Sequence, residues 1–225
     1  MGLLAQTSSM SWLIGSGKST MIESAEALPG RDAYPYPVAT RNVVLGTSMQ
    51  GPWSPTTEVL YLAMGCFWGA EKKYWSLPGV VTTAVGYQGG FTTYPTYEEV
   101  CTARTGHAEA VLVAYEPSQI STYDILRTFW ENHDPTQGYR QGNDIGTQYR
   151  SALYWTTEAQ ADLIQDTKST YETLLVSKGF DPITTDLRPA TPLPFYYAED
   201  YHQQYLHKNP HGYQCAATTG VPLPG

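Results

Sequence analysis

Basic residues are in short supply in this chain: 13 Lys and Arg stand against 21 Asp and Glu, a formal net charge of -8 at pH 7 over 225 residues. A polyanion is repelled by such a surface, so nucleic acid is not an expected partner. Long apolar runs are missing as well. Those around Val59 to Met64 and Val111 to Tyr115 fall far short of the about 18 apolar residues that a spanning helix needs, and no membrane association is expected. Met1-Gly2-Leu3-Leu4 lacks the basic stretch that precedes the apolar part of a secretory leader, and Gln6 stands where myristoylation favours Ser or Thr. A cytoplasmic protein is expected. Cysteine is rare and odd in number, at positions 66, 101 and 215, which argues against a secreted disulfide scaffold and leaves free thiols for redox chemistry.

What is present is enough for one core, since 41% of the residues are hydrophobic. The first 30 or so residues, rich in Ser, Gly and small side chains, show no sustained period and read as an irregular arm. Within them Gly15-Ser16-Gly17-Lys18-Ser19-Thr20 looks like the end of a phosphate loop. Trp12 occupies the position where that loop needs Gly, and no good strand precedes it. Periodic signals begin at Val59 to Met64, a short β-prone run, followed by helix-forming residues from Ala70 to Trp75 and a stop at Pro78-Gly79. Val80 to Tyr87 and Ala108 to Tyr115 read as strands. Ser121 opens a helix to about His133, and a loop of Gly, Gln, Asn and Asp fills 135 to 149. Ser151 to Trp155 reads as a strand. Thr157 with Gln160 resembles a capping box for a helix ending near Gly179, and a strand over Thr184 to Leu187 precedes a short helix from about Glu199 to His207. Strands and helices that partly alternate predict an α+β sandwich.

Cys66 lies where the first strand becomes the first helix, between Gly65 and Gly69. The unpaired N–H groups and dipole of a helix N-terminus favour a thiolate, and the glycines leave room for a substrate. The plainer reading is a buried structural cysteine, one of the residue types most often found inside. Phe67 and Trp68 read on their own as core aromatics.

The segments GCFWG, PTYEEV, TGHAEAV, FWENHDPTQGYRQGNDIGTQYRSALY and YYAEDYHQQYLHKNP, in this order, resemble methionine sulfoxide reductase A over about residues 24 to 215. The resemblance implies a ferredoxin-like α/β sandwich with irregular N- and C-terminal extensions. It further implies an extension over 1–50, a catalytic domain over 51–208, and a mobile tail over 209–225 that carries a resolving cysteine. Cys66 is then the residue that attacks the sulfoxide sulfur, with Phe67 and Trp68 as the apolar wall for the substrate methyl group. Glu109, at the start of the apolar run Ala110 to Val113, becomes the proton donor to the sulfoxide oxygen, because desolvation keeps a carboxyl protonated. A solvated strand-end glutamate is the alternative. Tyr97, Asp144 and Tyr149 match positions that bind the oxygen and organise the site, although with 18 tyrosines packing is the commoner role.

Cys215, among Gly, Ala and Thr, is implied to condense with the Cys66 sulfenic acid. Gln214 separates it from Gly212-Tyr213, and no second cysteine follows. The implied cycle uses two cysteines and a thioredoxin-like external reductant, with no cofactor and no metal, in a monomer acting on free or protein-bound methionine sulfoxide. Cys101 reads as a helix-packing residue. His202, His207 and His211 with Cys215 match no usual zinc spacing and read as decoration of a polar helix, though a metal-binding module stays open, as does a thiol peroxidase.

Overall fold

The computed structural model describes residues 17–225. The leader and myristoylation readings, and the phosphate-loop segment up to Ser16, lie outside the described residues; Gly17–Ser19 form one 3₁₀ turn. Eight strands follow: β1 Glu58–Met64, β2 Val80–Gln88, β3 Ala108–Tyr115, β4 Arg140–Gln141, β5 Asp144–Ile145, β6 Ser151–Trp155, β7 Asp186–Pro189 and β8 Tyr196–Tyr197. The α-helices are α1 Phe67–Trp75, α2 Tyr97–Cys101, α3 Thr122–Glu131, α4 Glu158–Ser177 and α5 Tyr205–Lys208.

Six strands form one sheet in the order β7-β6-β1-β3-β2-β8, and β4 pairs with β5 in a separate hairpin. Its centre is antiparallel, β6 to β1 to β3 to β2, and only β7 joins parallel, alongside β6. With α1 between β1 and β2 and α3 between β3 and β6, the four central strands repeat the ferredoxin-like pattern, so the expected fold class holds.

Every residue of β3 is buried, which a sheet covered on only one side would not allow. Val111, Val113 and Tyr115 face the core shared with Phe67, Tyr74, Leu126, Phe129, Trp130 and Ile164 of the helices. The alternate residues Ala108, Ala110, Leu112 and Ala114 face the other way, onto Met49, Trp53, Phe195 and Tyr197. The irregular segments are therefore the second cover of the sheet. Ahead of β1, Arg31 forms a two-point ion pair with Glu99 at 2.6 and 2.8 Å, and Asn42 donates to Thr83 of β2.

Local signals behave mostly as their chemistry requires. Ser121 caps α3 by accepting from the Asp124 N–H, and Thr157 caps α4 by accepting from the Gln160 N–H. The Gln160 side chain returns its bond to the Thr156 N–H, one residue outside the expected box, and also reaches Glu58, the Val59 carbonyl and Tyr115. The strand expected from Thr184 begins at Asp186, where pairing with β6 begins. The helix expected from Glu199 to His207 is broken into a 3₁₀ turn, Asp200–His202, and α5. Gln204 between them is left-handed at φ 47°, held there because its N–H and side-chain amide both donate to Glu71.

Glu71 is fully buried on α1 and also accepts from Thr83, and burial raises its pKa to about 7. Replacing Glu71→Ala strands the Gln204 N–H and is expected to cost about 2–3 kcal/mol, seen as a fall in Tm of roughly 5–10 °C. The folded carboxyl holds its proton to about pH 7, whereas an unfolded one releases it near its ordinary 4.5. The folded state thus binds the extra proton between those values, and stability declines as pH rises through that window. Denaturant titrations of Glu71→Gln from pH 5 to 8 should show a flatter decline than the wild type; parallel curves would refute the assignment.

Candidate active site

The chain leaves β1 through Gly65, which holds φ +87° with a Cβ position only 2.7 Å from Gln141, so a side chain fits neither the backbone nor the space. Cys66 is the N-cap of α1 and is 8% exposed. Extending the β1–β3 register, in which Leu62 faces Val111, sets Glu109 opposite Met64. The carboxyl thus lies under the first turn of α1, where its Oε2 accepts the Phe67 N–H at 2.9 Å.

A cavity of about 90 Å³ opens there, lined by Cys66, Phe67, Trp68, Tyr97, Glu109, Asp144, Tyr149 and Tyr213. Seven residues named from the sequence converge on it, and Tyr213 was not among them. The β4–β5 hairpin delivers Asp144, which accepts from the Tyr213 hydroxyl at 3.2 Å, and the 3₁₀ turn Thr147–Tyr149 delivers Tyr149. At the start of α2, the Tyr97 N–H donates to Glu199 at 2.8 Å, and Glu199 also accepts from Tyr87.

The aromatic wall has its own support. Trp68 stacks on Tyr205 with centroids 3.8 Å apart and donates through Nε1 to His202 Nδ1 at 3.0 Å. His202 is fully buried, with its pKa lowered to about 3 by desolvation, so it is a neutral acceptor. This corrects the reading of His202 as helix decoration: the left-handed turn at Gln204 puts His202 and Tyr205 on Trp68 together. His207 and His211 are exposed, and no group of three or more potential ligands is found among the described residues.

Desolvation raises Glu109 to about 8, reinforced by the Asp144 charge and opposed by the Phe67 N–H. Cys66 departs from expectation. The Trp68 and Gly69 N–H groups do favour its thiolate, but burial first and the Glu109 carboxylate second outweigh them and push the thiol well up. A helix N-terminus is a weak, local influence, and burial removes the water that would solvate the anion. With Glu109 protonated, its share of that push disappears.

Cys215 lies outside this cavity. Its Sγ donates to the Gln141 carbonyl at 3.4 Å, and its own carbonyl lies 4.0 Å from where a Cβ on Gly69 would be. A Cβ on Gly69 would thus stand at ordinary contact distance from the segment that carries Cys215. All three cysteines are unpaired, and Cys101 is half-buried on α2.

A thiol beside a carboxyl that keeps its proton, with apolar rings on one side and phenols on the other, is an arrangement suited to thiol redox chemistry on a small group with one polar and one apolar end. The family model described as peptide methionine sulfoxide reductase matches residues 58–221. A peptide methionine sulfoxide reductase MsrA of Rhodospirillum centenum is 52% identical over 94% of this chain and 95% of its own length. A mitochondrial peptide methionine sulfoxide reductase of Homo sapiens is 51% identical over 94% of this chain and 88% of its own length. Among solved structures, methionine sulfoxide reductase A of Corynebacterium diphtheriae superposes with a TM-score of 0.79 at 43% identity, covering 92% of this chain and all of that one. The chain belongs to the peptide methionine sulfoxide reductase family, as an MsrA-type enzyme that reduces methionine sulfoxide.

The balance of charges at Cys66 is open to measurement. Alkylation of Cys66 by iodoacetamide, followed by peptide mass spectrometry, is expected to be slow at neutral pH and to rise on the alkaline side. Glu109→Gln removes the carboxylate that opposes the thiolate, so its alkylation profile should shift to lower pH; superimposable profiles would contradict this account.

Proposed function

We propose that Cys66 attacks the sulfur of methionine S-sulfoxide while Glu109 gives its proton to the sulfoxide oxygen. Oxygen passes to Cys66, whose sulfur is oxidised by two electrons to a sulfenic acid while its thiol proton replaces the one Glu109 gave, and the methionine sulfur is reduced by the same two electrons. Phe67 and Trp68 receive the methyl group, and the hydroxyls of Tyr97 and Tyr149 hold the oxygen as it gains negative character. Burial keeps both phenols protonated, as a donor must be. Asp144 fixes Tyr213 at the mouth. Methyl, oxygen and sulfur each meet a different wall, which is the requirement for discriminating one sulfoxide epimer.

The observation that carries this reading is the convergence of Cys66, Glu109 and the aromatic pair on one cavity of about 90 Å³. Such a space suits a methylsulfinyl group and leaves the rest of the substrate outside, in keeping with free and protein-bound substrates alike. Cys215 then condenses with the sulfenic acid, forming the Cys66–Cys215 disulfide and releasing water, and a thioredoxin-like dithiol reduces that bond. We read the role as repair of oxidised proteins under oxidative stress, by a monomer in the cytoplasm, whose reducing poise keeps its thiols available. The catalytic unit spans 51–208, between an extension over 1–50 and a tail over 209–225.

With dithiothreitol as reductant, the S epimer should be turned over and the R epimer left untouched; equal or absent turnover of the two would sink the assignment. Glu109→Gln is expected to lower kcat/KM by roughly 10²–10⁴. The wild-type rate should fall as pH rises through about 8, where Glu109 loses its proton, and the variant should lack that limb. Cys215→Ser should complete a single turnover and then stall with thioredoxin.

A further inference from the structure

The last five residues are a period-two docking strip. Val221 and Leu223 are 7% and 6% exposed and join the core, while Pro222 and Pro224 point outward. The two inward residues are the ones with N–H groups to satisfy: Val221 donates to Thr219 Oγ1 at 3.2 Å and Leu223 to Glu131 of α3 at 2.8 Å. The residues between them are prolines, which have no N–H to leave unpaired. Tyr171 of α4 donates to the Val221 carbonyl at 2.8 Å while sharing a 2.7 Å bond with Thr219, and Tyr123 of α3 donates to the Pro224 carbonyl at 2.6 Å. The far end of the chain is fastened to α3 and α4.

The near end is fastened too, by the Tyr213 hydroxyl on Asp144 and the Gly212 N–H on Asn209. The span between is different. Residues 214–218 make no backbone hydrogen bond among the described residues; their one polar tie is the Cys215 thiol on Gln141. Beneath them lies a cavity of about 190 Å³ lined by Met64, Gly69, Ala70, Lys73 and Asn132. The cysteine rides on a loose bridge over the first turns of α1, pinned on both sides.

We propose that the docked segment Val221–Pro224, with Tyr171, Tyr123 and Glu131 as its receptors, positions Cys215 for reaction with Cys66. This rests on the resolving role of Cys215. A tail fixed only at Tyr213 explores a wide volume, whereas one fixed at both ends confines its thiol to the neighbourhood of Cys66, which raises its effective concentration there. It also replaces the picture of a wholly mobile tail by one in which five residues move and the remainder is an anchor. Tyr171, Tyr123 and Glu131 touch no reacting atom and are positioning residues.

The test uses the full chain, a chain ending at Gly220, and Tyr171→Phe, which keeps the ring and loses both hydroxyl bonds. One equivalent of sulfoxide is added without reductant, and the Cys66–Cys215 disulfide and the dimedone-trapped sulfenic acid are followed over time. The shortened chain should form the disulfide about tenfold more slowly, accumulate sulfenic acid, and lose thioredoxin-supported turnover. Its dithiothreitol-supported turnover, in which a small thiol reaches the sulfenic acid directly, should stay within about twofold. Tyr171→Phe should shift the same way by a smaller factor, and it decides the matter if the shortened chain does not fold. Disulfide formation at the wild-type rate in a folded shortened chain, or in Tyr171→Phe, would overturn the anchor. Cys215→Ser recycling normally with thioredoxin would instead overturn the resolving role, and the anchor with it.

Discussion

The burial of one carboxyl under the first turn of a helix organises this molecule. Among the described residues Glu109 has no counter-cation, and its one hydrogen bond comes from the Phe67 N–H, a group that would otherwise be one of the unpaired donors at the start of α1. That bond fastens the helix start to β3 and so places Cys66 beside the acid. It is too little to keep the carboxyl ionised against desolvation, so the proton stays. A cation paired with Glu109 would remove that proton, because a carboxylate held by a cation gives up its proton well below neutrality.

The sheet is arranged around that constraint. Glu109 shares the helix face of β3 with Val111 and Val113, and the strand is buried on its opposite face as well. The other cover comes from segments without regular structure, the arm carrying Met49 and Trp53 and the stretch carrying Phe195 and Tyr197. Their hold on the sheet is polar as much as apolar: Asn42 on Thr83, Tyr197 donating from its N–H to the Tyr34 hydroxyl, Arg31 on Glu99. These segments thereby hold the strand that carries Glu109, and none of Met49, Trp53, Phe195 and Tyr197 lines the cavity.

This division explains what could be read from the residues in order. The strands and helices of the sandwich announce themselves because burial on a pleated or helical surface imposes a period, and Cys66 stands at a junction of two periods. The motifs then named seven of the cavity's residues. Tyr213 and Tyr205 carry no sequence signal and His202 reads only as helix decoration, because their segment has no period long enough to show a face, and the turn that aims two of them depends on a left-handed Gln204 held by a glutamate 133 positions away. No local pattern signals such a contact. At Cys66 the residues in order leave a thiolate and a buried thiol both open for a related reason: the helix start that favours a thiolate is visible locally, and the burial that opposes it is not. The docked tail was missed although its alternation of Val, Pro, Leu and Pro was in plain view, since a strip of four residues is too short to count as a period by itself.

The same long-range ties set how precisely the apolar wall is held. Trp68 is fixed on one side by the Tyr205 ring and at its nitrogen by His202, and both come from a segment whose left-handed turn at Gln204 is bonded to the Glu71 carboxyl. Glu71 lies on α1 itself, one turn beyond Trp68. The helix that Cys66 caps thus recruits, through its own buried acid, the residues that immobilise its aromatic neighbour. Two desolvated carboxyls act on a single helix: Glu109 holds its beginning against the sheet, and Glu71 draws the return of the chain onto its flank. Each destabilises the fold as pH rises, and under the proposed chemistry that cost secures a ring whose displacement by about an ångström would lose its place against a substrate methyl group.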